Sequence, residues 1–213
     1  MNVELIRYTP EPDELCAQAA GICVGKGGST NGLIHAIRSG HESVLEHATF
    51  TFLVEGVSRV LLAQLIRHRI ASFSVLSQRY VQLVDDTSFV LPQSIMGADL
   101  GCEVSTLLED AMDIYEALLD KGVPAEDARY IIPQGVVTDL MVTMNARELR
   151  HFFQLRCCNR AQKEIRDLAD EMFRQCRKVA PILFGECGPG CVTDRCREAR
   201  PCGHPRTGDE LFY

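Results

Sequence analysis

The chain has 213 residues, of which 46% are hydrophobic and 24% charged, and its net charge of −7 and composition are those of a soluble globular protein of one domain. No segment reaches the roughly 18 uninterrupted apolar residues that a membrane-spanning helix needs. The N-terminal residues alternate like a strand and include Glu4, unlike a secretory signal, so we predict a cytoplasmic protein with no membrane partner.

The first third of the chain predicts two strands and three helices. Apolar residues alternate in residues 1–7 and again in residues 49–55, as expected for strands. The second strand places on one face Phe50, Phe52 and Val54. The glycine-rich residues 25–32 predict a loop, because no strand-glycine-helix pattern of a phosphate-binding loop surrounds them. The predicted helices cover residues 13–20, 33–39 and 58–66.

The rest of the chain predicts four helices and one further strand. In order, these are a long helix at 102–121, a short helix from Pro124 to near Pro133, a strand at 136–144, a helix at 146–158 that Asn145 caps, and a helix at 160–179. The long helix has a predicted inner stripe of Val104, Leu107, Leu108, Ala111, Ile114, Tyr115 and Leu118.

Strands and helices mix without regular βαβ alternation, so we predict an α+β fold over residues 1–185, with a mixed or antiparallel sheet packed with several helices. Residues 186–213 form a predicted tail rich in turn residues, with cysteines at Cys187, Cys191, Cys196 and Cys202. These thiols and His204 could hold zinc, but their spacing lacks the paired two-residue gaps of a strong zinc motif. We predict a partly ordered tail without a metal, and zinc binding stays open as the alternative.

Three arginines, a histidine and three serines lie within the thirteen residues from Arg67 to Arg79. Guanidinium groups match phosphate oxygens, which favours a pocket for one or more anions. A solvated basic turn is the alternative. Apolar residues on both sides indicate instead a segment held between buried elements: Leu61, Leu62, Leu65 and Ile66 before it, and Tyr80, Val81, Leu83 and Val84 after it.

The predicted helix at 146–158 carries a second set of polar residues. Arg147, His151 and Gln154 recur at helical spacing and share one face, whereas Arg156 points to another side. The apolar residues between them leave little of the helix for solvent. We therefore predict a helix wedged between two ligands, with a solvated surface helix as the alternative.

Several blocks of the chain together resemble one family. Arg67-His68-Arg69, followed by seven residues and Ser77, matches the RHR-x7-S signature of flavin-dependent thymidylate synthases. Further blocks that resemble this family are Gly40-His41-Glu42-Ser43 with Glu46-His47, Thr49-Phe50-Thr51-Phe52, Ser58-Arg59 with Gln64-Leu65, Gly122-Val123-Pro124 with Ala128-Arg129, Asn145-Ala146-Arg147, His151-Phe152 and Leu155-Arg156. The resemblance spans roughly residues 30–185, and so many blocks in order are far more specific than one short motif.

The resemblance implies two sets of ligand-binding positions. The positions that bind flavin in the family are His41, Ser43, Arg67, His68, Arg69, Asn145, Arg147 and His151. The positions that bind the nucleotide are Gln64, Arg67, Val75, Ser77, Gln78, Arg79, Arg129 and Arg156. Val75 departs from the family, whose members commonly have a polar or acidic residue there, so a side-chain contact at this position is lost.

By the same resemblance, the chain catalyses the reductive methylation of dUMP to dTMP. Methylenetetrahydrofolate supplies the carbon, NADPH or NADH the reducing equivalents, and FAD carries hydride, in a homotetramer with shared sites. Arg156 is the residue expected to activate the substrate, because a guanidinium at the N3 and O2 edge favours the anionic uracil ring. Ser77 is expected to bind phosphate, and a nucleophilic role for it is the alternative.

Two other functions remain open on the sequence alone. A nucleotide-binding regulatory protein could have the anion pocket without a redox cofactor. A nucleic-acid-binding module could use the basic segment, but the pI of about 5.4 and the lack of an extended basic face with aromatic residues argue against it.

Overall fold

The computed structural model describes residues 1–83, 87–196 and 198–212, so Val84, one of the predicted flanking residues, lies outside these ranges. Four strands form one antiparallel sheet in the order β1-β2-β4-β3. They are β1 (Asn2–Tyr8), β2 (Thr49–Ser58), β3 (Ala71–Val75) and β4 (Val137–Asn145). The predicted α+β class with an antiparallel sheet is confirmed.

Ten α-helices accompany this sheet in the described residues. The α-helices are α1 (Pro12–Cys23), α2 (Thr30–Arg38), α3 (Arg59–Leu65), α4 (Gln93–Met96), α5 (Gly101–Asp120), α6 (Ala125–Ala128), α7 (Ala146–Arg156), α8 (Lys163–Val179), α9 (Gly190–Thr193) and α10 (Gly208–Phe212). Two 3-10 helices cover Glu42–His47 and Arg129–Ile131. In the described residues, no helix is long and apolar enough to cross a bilayer.

The main core lies between one face of the sheet and helices α7 and α8. The predicted inner face of β2, which is Phe50, Phe52 and Val54, is fully buried there. Aromatic rings continue the packing, because Phe153 of α7 lies edge-on to Phe173 of α8 with 5.2 Å between ring centroids. Burying side chains of this size stabilises the fold by roughly 1.5–3 kcal/mol each.

Side-chain caps fix the starts of the two helices that carry most of the site. Asn145 Oδ1 accepts a hydrogen bond from the backbone N–H of Glu148 at 2.9 Å, so α7 begins where β4 ends. Ser58 Oγ accepts from the backbone N–H of Leu61 at 3.0 Å and so starts α3 at the end of β2. Each cap satisfies backbone donors that the first helical turn leaves unpaired. The predicted cap at Asn145 is confirmed.

Two elements differ from the sequence prediction. Strand β3 lies inside the basic segment, where we predicted only a ligand pocket, and pairs with β4 from Ala71↔Met144 to Val75↔Leu140. The predicted inner stripe of α5 is wrong at Leu107 and Ile114, which are 64% and 54% exposed. Only Tyr115 of α5 is buried, with Ala128 and Val136, in a small second core. The spacing of apolar residues defined a face of α5, but the described part of the chain leaves Leu107 and Ile114 on that face exposed.

The cysteine-rich tail is attached more firmly than its turn-rich composition predicts. Leu211 is fully buried and belongs to the main core. Arg206 reaches back to α8, where its Nη1 lies 2.6 and 2.8 Å from the two carboxylate oxygens of Asp170. The same nitrogen donates to the Cys157 carbonyl at 3.0 Å. Within the described ranges, no group of three or more His, Cys, Asp or Glu side chains could hold a metal ion. The division between residues 1–185 and the tail stays a prediction.

The buried pair between Asp170 and Arg206 generates the first prediction. Both side chains are at most 10% exposed, and removing one partner of such a pair costs about 3–5 kcal/mol because the other charge stays buried. We expect Asp170→Asn to lower the free energy of unfolding by about 3 kcal/mol, measured by denaturant titration.

Asp167→Asn is the matched control on the same helix. Asp167 pairs with Lys163 at the surface, where their side chains are 41% and 67% exposed, and such pairs contribute at most about 1 kcal/mol. Equal losses in the two variants would contradict the anchoring role of Asp170.

Candidate functional site

Helix α7 separates two cavities. The first has a volume of about 590 Å³, and its lining includes Asn145, Arg147 and His151. The second has a volume of about 380 Å³, and Arg156 lines it. Gln154 lines both. The predicted separation of Arg147 and His151 from Arg156 is confirmed, whereas Gln154 lies between the two sides and not on the Arg147 side alone.

The first cavity carries charges of both signs. Arg147 Nη1 lies 2.6 Å from Glu46 Oε1, and its Nε lies 3.6 Å from Glu42 Oε2. The hydrogen bond to Glu46 raises the pKa of Arg147 above its ordinary value. One turn further along α7, Arg150 also lines the cavity, and its buried Nε atom has no hydrogen-bond partner among the described residues. The cavity therefore offers donors while its acids hold Arg147 in place.

Three polar side chains in contact, Glu148, His68 and Arg156, lead from the buried side of α7 to the second cavity. Arg156 Nε donates to His68 Nε2 at 3.1 Å. The other ring nitrogen of His68, Nδ1, lies 3.3 Å from Glu148 Oε1. The side chains of His68 and Glu148 are only 4% and 8% exposed. The ring of Phe152 packs edge-on against His68, with 4.9 Å between centroids.

The imidazole of His68 is neutral at physiological pH. Burial, together with the charge of Arg156 and the nearby His151, lowers the pKa of His68 to about 4. A neutral imidazole has one donor and one acceptor nitrogen. Because Arg156 donates to Nε2, the proton resides on Nδ1, next to the Glu148 carboxylate. This contact therefore joins a neutral donor to an acid, and it is not an ion pair.

The second cavity is electropositive where Arg156 enters it. Burial, and next the charge of Arg67, lowers the pKa of Arg156. Two guanidinium groups near one another, one of them half-buried, favour an anionic ligand between them. The tail also lines this cavity, to which it contributes Cys191 and Cys196.

A second basic cluster forms around Glu126. Arg79 Nε lies 2.5 Å from the Glu126 carboxylate, and Arg129 Nε donates to the Glu126 carbonyl at 3.0 Å. Arg59 is close enough to Arg129 for the two charges to interact; burial and then this repulsion lower the pKa of Arg59. The buried Nε2 of Gln78 has no hydrogen-bond partner in the described chain. Donors in such numbers suit a phosphate.

The remaining predicted residues are near these features or at the surface. Gln64 donates to Gln162 Oε1 at 3.3 Å, and its carbonyl accepts from Arg156 at 3.3 Å. Ser77 Oγ accepts from the backbone N–H of Arg79 at 3.2 Å, which shapes the turn after β3. Val75 is half-buried, while three others are exposed: His41, Ser43 and Arg69.

The described lining of the two α7 cavities includes neither Arg79 nor Arg129. A single chain thus brings together His68, Arg156 and the first cavity, but it does not unite them with the Glu126 cluster. The ligand roles of all these residues stay predictions at this point.

Sequence reasoning missed Glu148. Its position three residues after the cap residue Asn145 is where acids commonly stabilise the first turn of a helix. Nothing in the sequence distinguishes this ordinary role from a buried carboxylate beside His68. Burial raises the pKa of Glu148 as its main effect, although His151 and Arg147 oppose the change.

The lowered pKa of His68 generates the second prediction. The unfolded chain takes up a proton at the ordinary histidine pKa of about 6.5, whereas the folded chain resists protonation until about pH 4. Stability contributed by neutral His68 is therefore fully present above about pH 6.5 and lost as the pH falls towards 4. We expect His68→Gln to show a smaller drop in thermal midpoint between pH 7 and 5 than the unaltered protein.

Other groups also change the stability between pH 7 and 5, so the drop in thermal midpoint of the variant is compared with that of the unaltered protein. The raised pKa of Glu148 acts with the opposite sign, because it favours the folded state at low pH. Arg156, His151 and Arg67 are common to both proteins. His35→Gln, at an exposed site on α2, is the matched control. If His68→Gln followed the unaltered protein at every pH, the neutral buried state of His68 would be disproved.

Comparison with known proteins shows the family of this chain. A profile of the family described as thymidylate synthase complementing protein matches residues 4–182. The flavin-dependent thymidylate synthase of Geobacter sulfurreducens is 45% identical over 100% of this chain and 98% of its own length. Proteins of the same name from Clostridium tetani (40% identical, 95% of this chain and 93% of the relative) and Pyrococcus horikoshii (45% identical, 90% and 87%) are also similar. With matches of this extent, the chain belongs to the family of flavin-dependent thymidylate synthases.

Proposed function

We infer that this chain catalyses the reductive methylation of dUMP to dTMP, with methylenetetrahydrofolate as carbon donor, NADPH as reductant and FAD as cofactor. The membership of the family supports the reaction type. The observation that carries the proposal for this chain is the placement of Arg156, which lines one cavity while the helix that bears it presents Arg147 and His151 to another.

Arg156 acts on the uracil ring. A guanidinium close to N3 and O2 stabilises the ring when it loses the N3 proton, because opposite charges attract strongly in a partly buried site. Negative charge delocalised over the ring makes the C5 carbon more nucleophilic towards the one-carbon unit. Arg67, whose charge interacts with that of Arg156, increases the preference of the cavity for an anion.

The first cavity fits part of a flavin. Its volume of about 590 Å³ is within the usual range for ligand sites, roughly 300–1,000 Å³. Asn145, Arg147 and His151, which all line this cavity, would hold the cofactor there. When bound, FAD supplies the hydride transfer that no side chain of this site can perform.

The acids in this cavity limit which part of the cofactor it accepts. Glu42 and Glu46 already neutralise Arg147, so the pyrophosphate would be repelled here. The flavin ring and ribityl chain suit this cavity better. The exposed Arg67 and Arg69 are the better partners for the phosphates.

The nucleotide phosphate belongs to the Glu126 cluster. Arg79 and Arg129 both contact Glu126 and would exchange these contacts for phosphate oxygens, with Ser77 and Gln78 as further donors. Since these residues do not line the α7 cavities of the same chain, a complete site requires a neighbouring subunit.

A homotetramer with shared sites meets this requirement. The exposed apolar side chains of α5, Leu107 and Ile114, support it, because apolar surface of this kind commonly marks a contact between proteins. The cytoplasmic location also stays a prediction.

Anaerobic turnover tests the proposed function directly. The purified protein is incubated with dUMP, methylenetetrahydrofolate and NADPH, with and without FAD, and dTMP is measured. We expect dTMP formation that depends on all four, and NADH in place of NADPH gives the nicotinamide preference. A colourless protein that takes up no FAD would favour the alternative of a nucleotide-binding regulator.

Arg156→Ala generates the third prediction. Removing the guanidinium removes the charge that stabilises the anionic ring, and one donor of this kind contributes about 100-fold or more to the rate. We expect the variant to remain yellow, with flavin bound, and to lose dTMP formation by at least this factor.

Arg7→Ala is the matched control, because Arg7 is exposed on the edge strand β1 and is not among the residues that line either α7 cavity. It should retain full activity. Loss of flavin from Arg156→Ala, at unchanged fold, would show that Arg156 binds the cofactor and would refute its assignment to the substrate.

A further inference from the structure

The contacts of Arg156 indicate what fixes the direction of its guanidinium group. Its Nε donates to His68 Nε2 at 3.1 Å, and its Nη2 donates to the Gln64 carbonyl at 3.3 Å. These two bonds hold one edge of a planar, rigid group. The other N–H groups are left for a ligand in the cavity that Arg156 lines.

His68 is itself held from the other side. Its Nδ1 faces Glu148 Oε1 at 3.3 Å, both side chains are almost completely buried, and the ring of Phe152 packs against the imidazole at 4.9 Å. A carboxylate beside one ring nitrogen keeps the proton on that nitrogen and makes the opposite nitrogen a better acceptor. Glu148 thus determines which nitrogen of His68 receives Arg156.

We propose that Glu148 and His68 form a positioning pair, which holds the Arg156 guanidinium against the pyrimidine ring in the thymidylate synthase reaction. This inference rests on the proposed function of Arg156. It assigns Glu148 a function that no motif indicates, and it gives the His68 side chain a structural partner where the resemblance implies a flavin contact.

The choice of residue types follows from charge. A second cation beside Arg156 would repel it, and Arg67 already does so. The neutral imidazole of His68 accepts a hydrogen bond without adding positive charge. The buried carboxylate of Glu148, on the other side of the imidazole, compensates part of the charge of Arg156. An apolar residue at position 68 would leave the Nε–H of Arg156 unpaired and its orientation unrestrained.

Four variants test the pair. His68→Leu removes the acceptor, His68→Gln retains an amide oxygen that can accept from Arg156, Glu148→Gln removes the charge at constant volume, and His35→Leu is the control at an exposed histidine on α2. Bound flavin, thermal midpoint, kcat, and KM for dUMP are measured for each.

A binding measurement separates ring activation from folding. Fluorine at C5 lowers the N3 pKa of the uracil ring, so 5-fluoro-dUMP is more anionic than dUMP at the same pH. The ratio of the two affinities reports how well Arg156 stabilises the anion, and it needs no turnover. A role limited to supporting the fold would change both affinities equally.

We expect His68→Leu to lower kcat by about 100-fold, the cost of misplacing a reacting group by about 1 Å, while flavin stays bound. The preference for 5-fluoro-dUMP should fall towards that of Arg156→Ala. His68→Gln should recover most of both losses, and Glu148→Gln should show a loss of the same kind but smaller. Arg156→Lys removes the guanidinium group that His68 orients. Adding His68→Leu to this variant should therefore lower kcat little further.

Other outcomes would overturn the proposal. One is an unchanged kcat in His68→Leu; another is equal damage in the Leu and Gln variants. Loss of flavin with normal nucleotide preference would assign His68 to the cofactor instead. If His68→Leu does not fold, Glu148→Gln decides alone, and an unchanged nucleotide preference in it refutes the pair. Failure of the unaltered protein to make dTMP would instead refute the proposed function.

Discussion

The hydrogen bond from Arg156 to a buried, neutral His68 is the contact around which the site is arranged. It joins the segment after α3 to the last turn of α7, two parts of the chain 88 residues apart. It holds only while His68 has no second proton, and burial ensures this by lowering the pKa of the imidazole. Packing therefore sets the charge state, and the charge state sets the direction of the arginine that lines the cavity.

The fold explains how α7 can serve two cavities at once. The Asn145 cap joins β4 directly to α7, and β4 lies in the interior of the sheet, between β2 and β3. The start of the helix is thus fixed by a strand that is paired on both sides. One apolar side of α7 enters the core through Phe152 and Phe153, and its polar residues are left at the two edges of this buried side.

Short-range patterns allowed much of this to be predicted. Alternation identified the buried face of β2, helical spacing separated Arg147 and His151 from Arg156, and the cap at Asn145 followed from its residue type. The predictions that were wrong concern the packing or pairing partners of a segment. The apolar stripe of α5 was evident, but spacing cannot show that Leu107 stays exposed among the residues that the structure describes. Strand β3 was missed because its five residues lie within a segment whose arginines and serines indicated binding.

Long-range charge pairs were outside the reach of sequence reasoning. Glu148 has the appearance of an ordinary first-turn acid, and its burial beside His68 depends on the packing of a segment 80 residues earlier. Arg206 and Asp170 are separated by 36 residues, and neither lies in a motif. Such pairs are recognised only when the fold is known, because the desolvation that makes them strong comes from many unrelated neighbours.

The attachment of the tail links the shape of one cavity to the integrity of a distant ion pair. Cys191 and Cys196 line the same cavity as Arg156, and the tail that carries them is tied to the core through Arg206 and Leu211 further along. A molecule that fills this cavity contacts both α7 and the tail. Its binding therefore stabilises the attachment of the tail to the core. A ligand in this cavity should then slow the proteolytic cleavage of about the last thirty residues, even when no catalysis takes place.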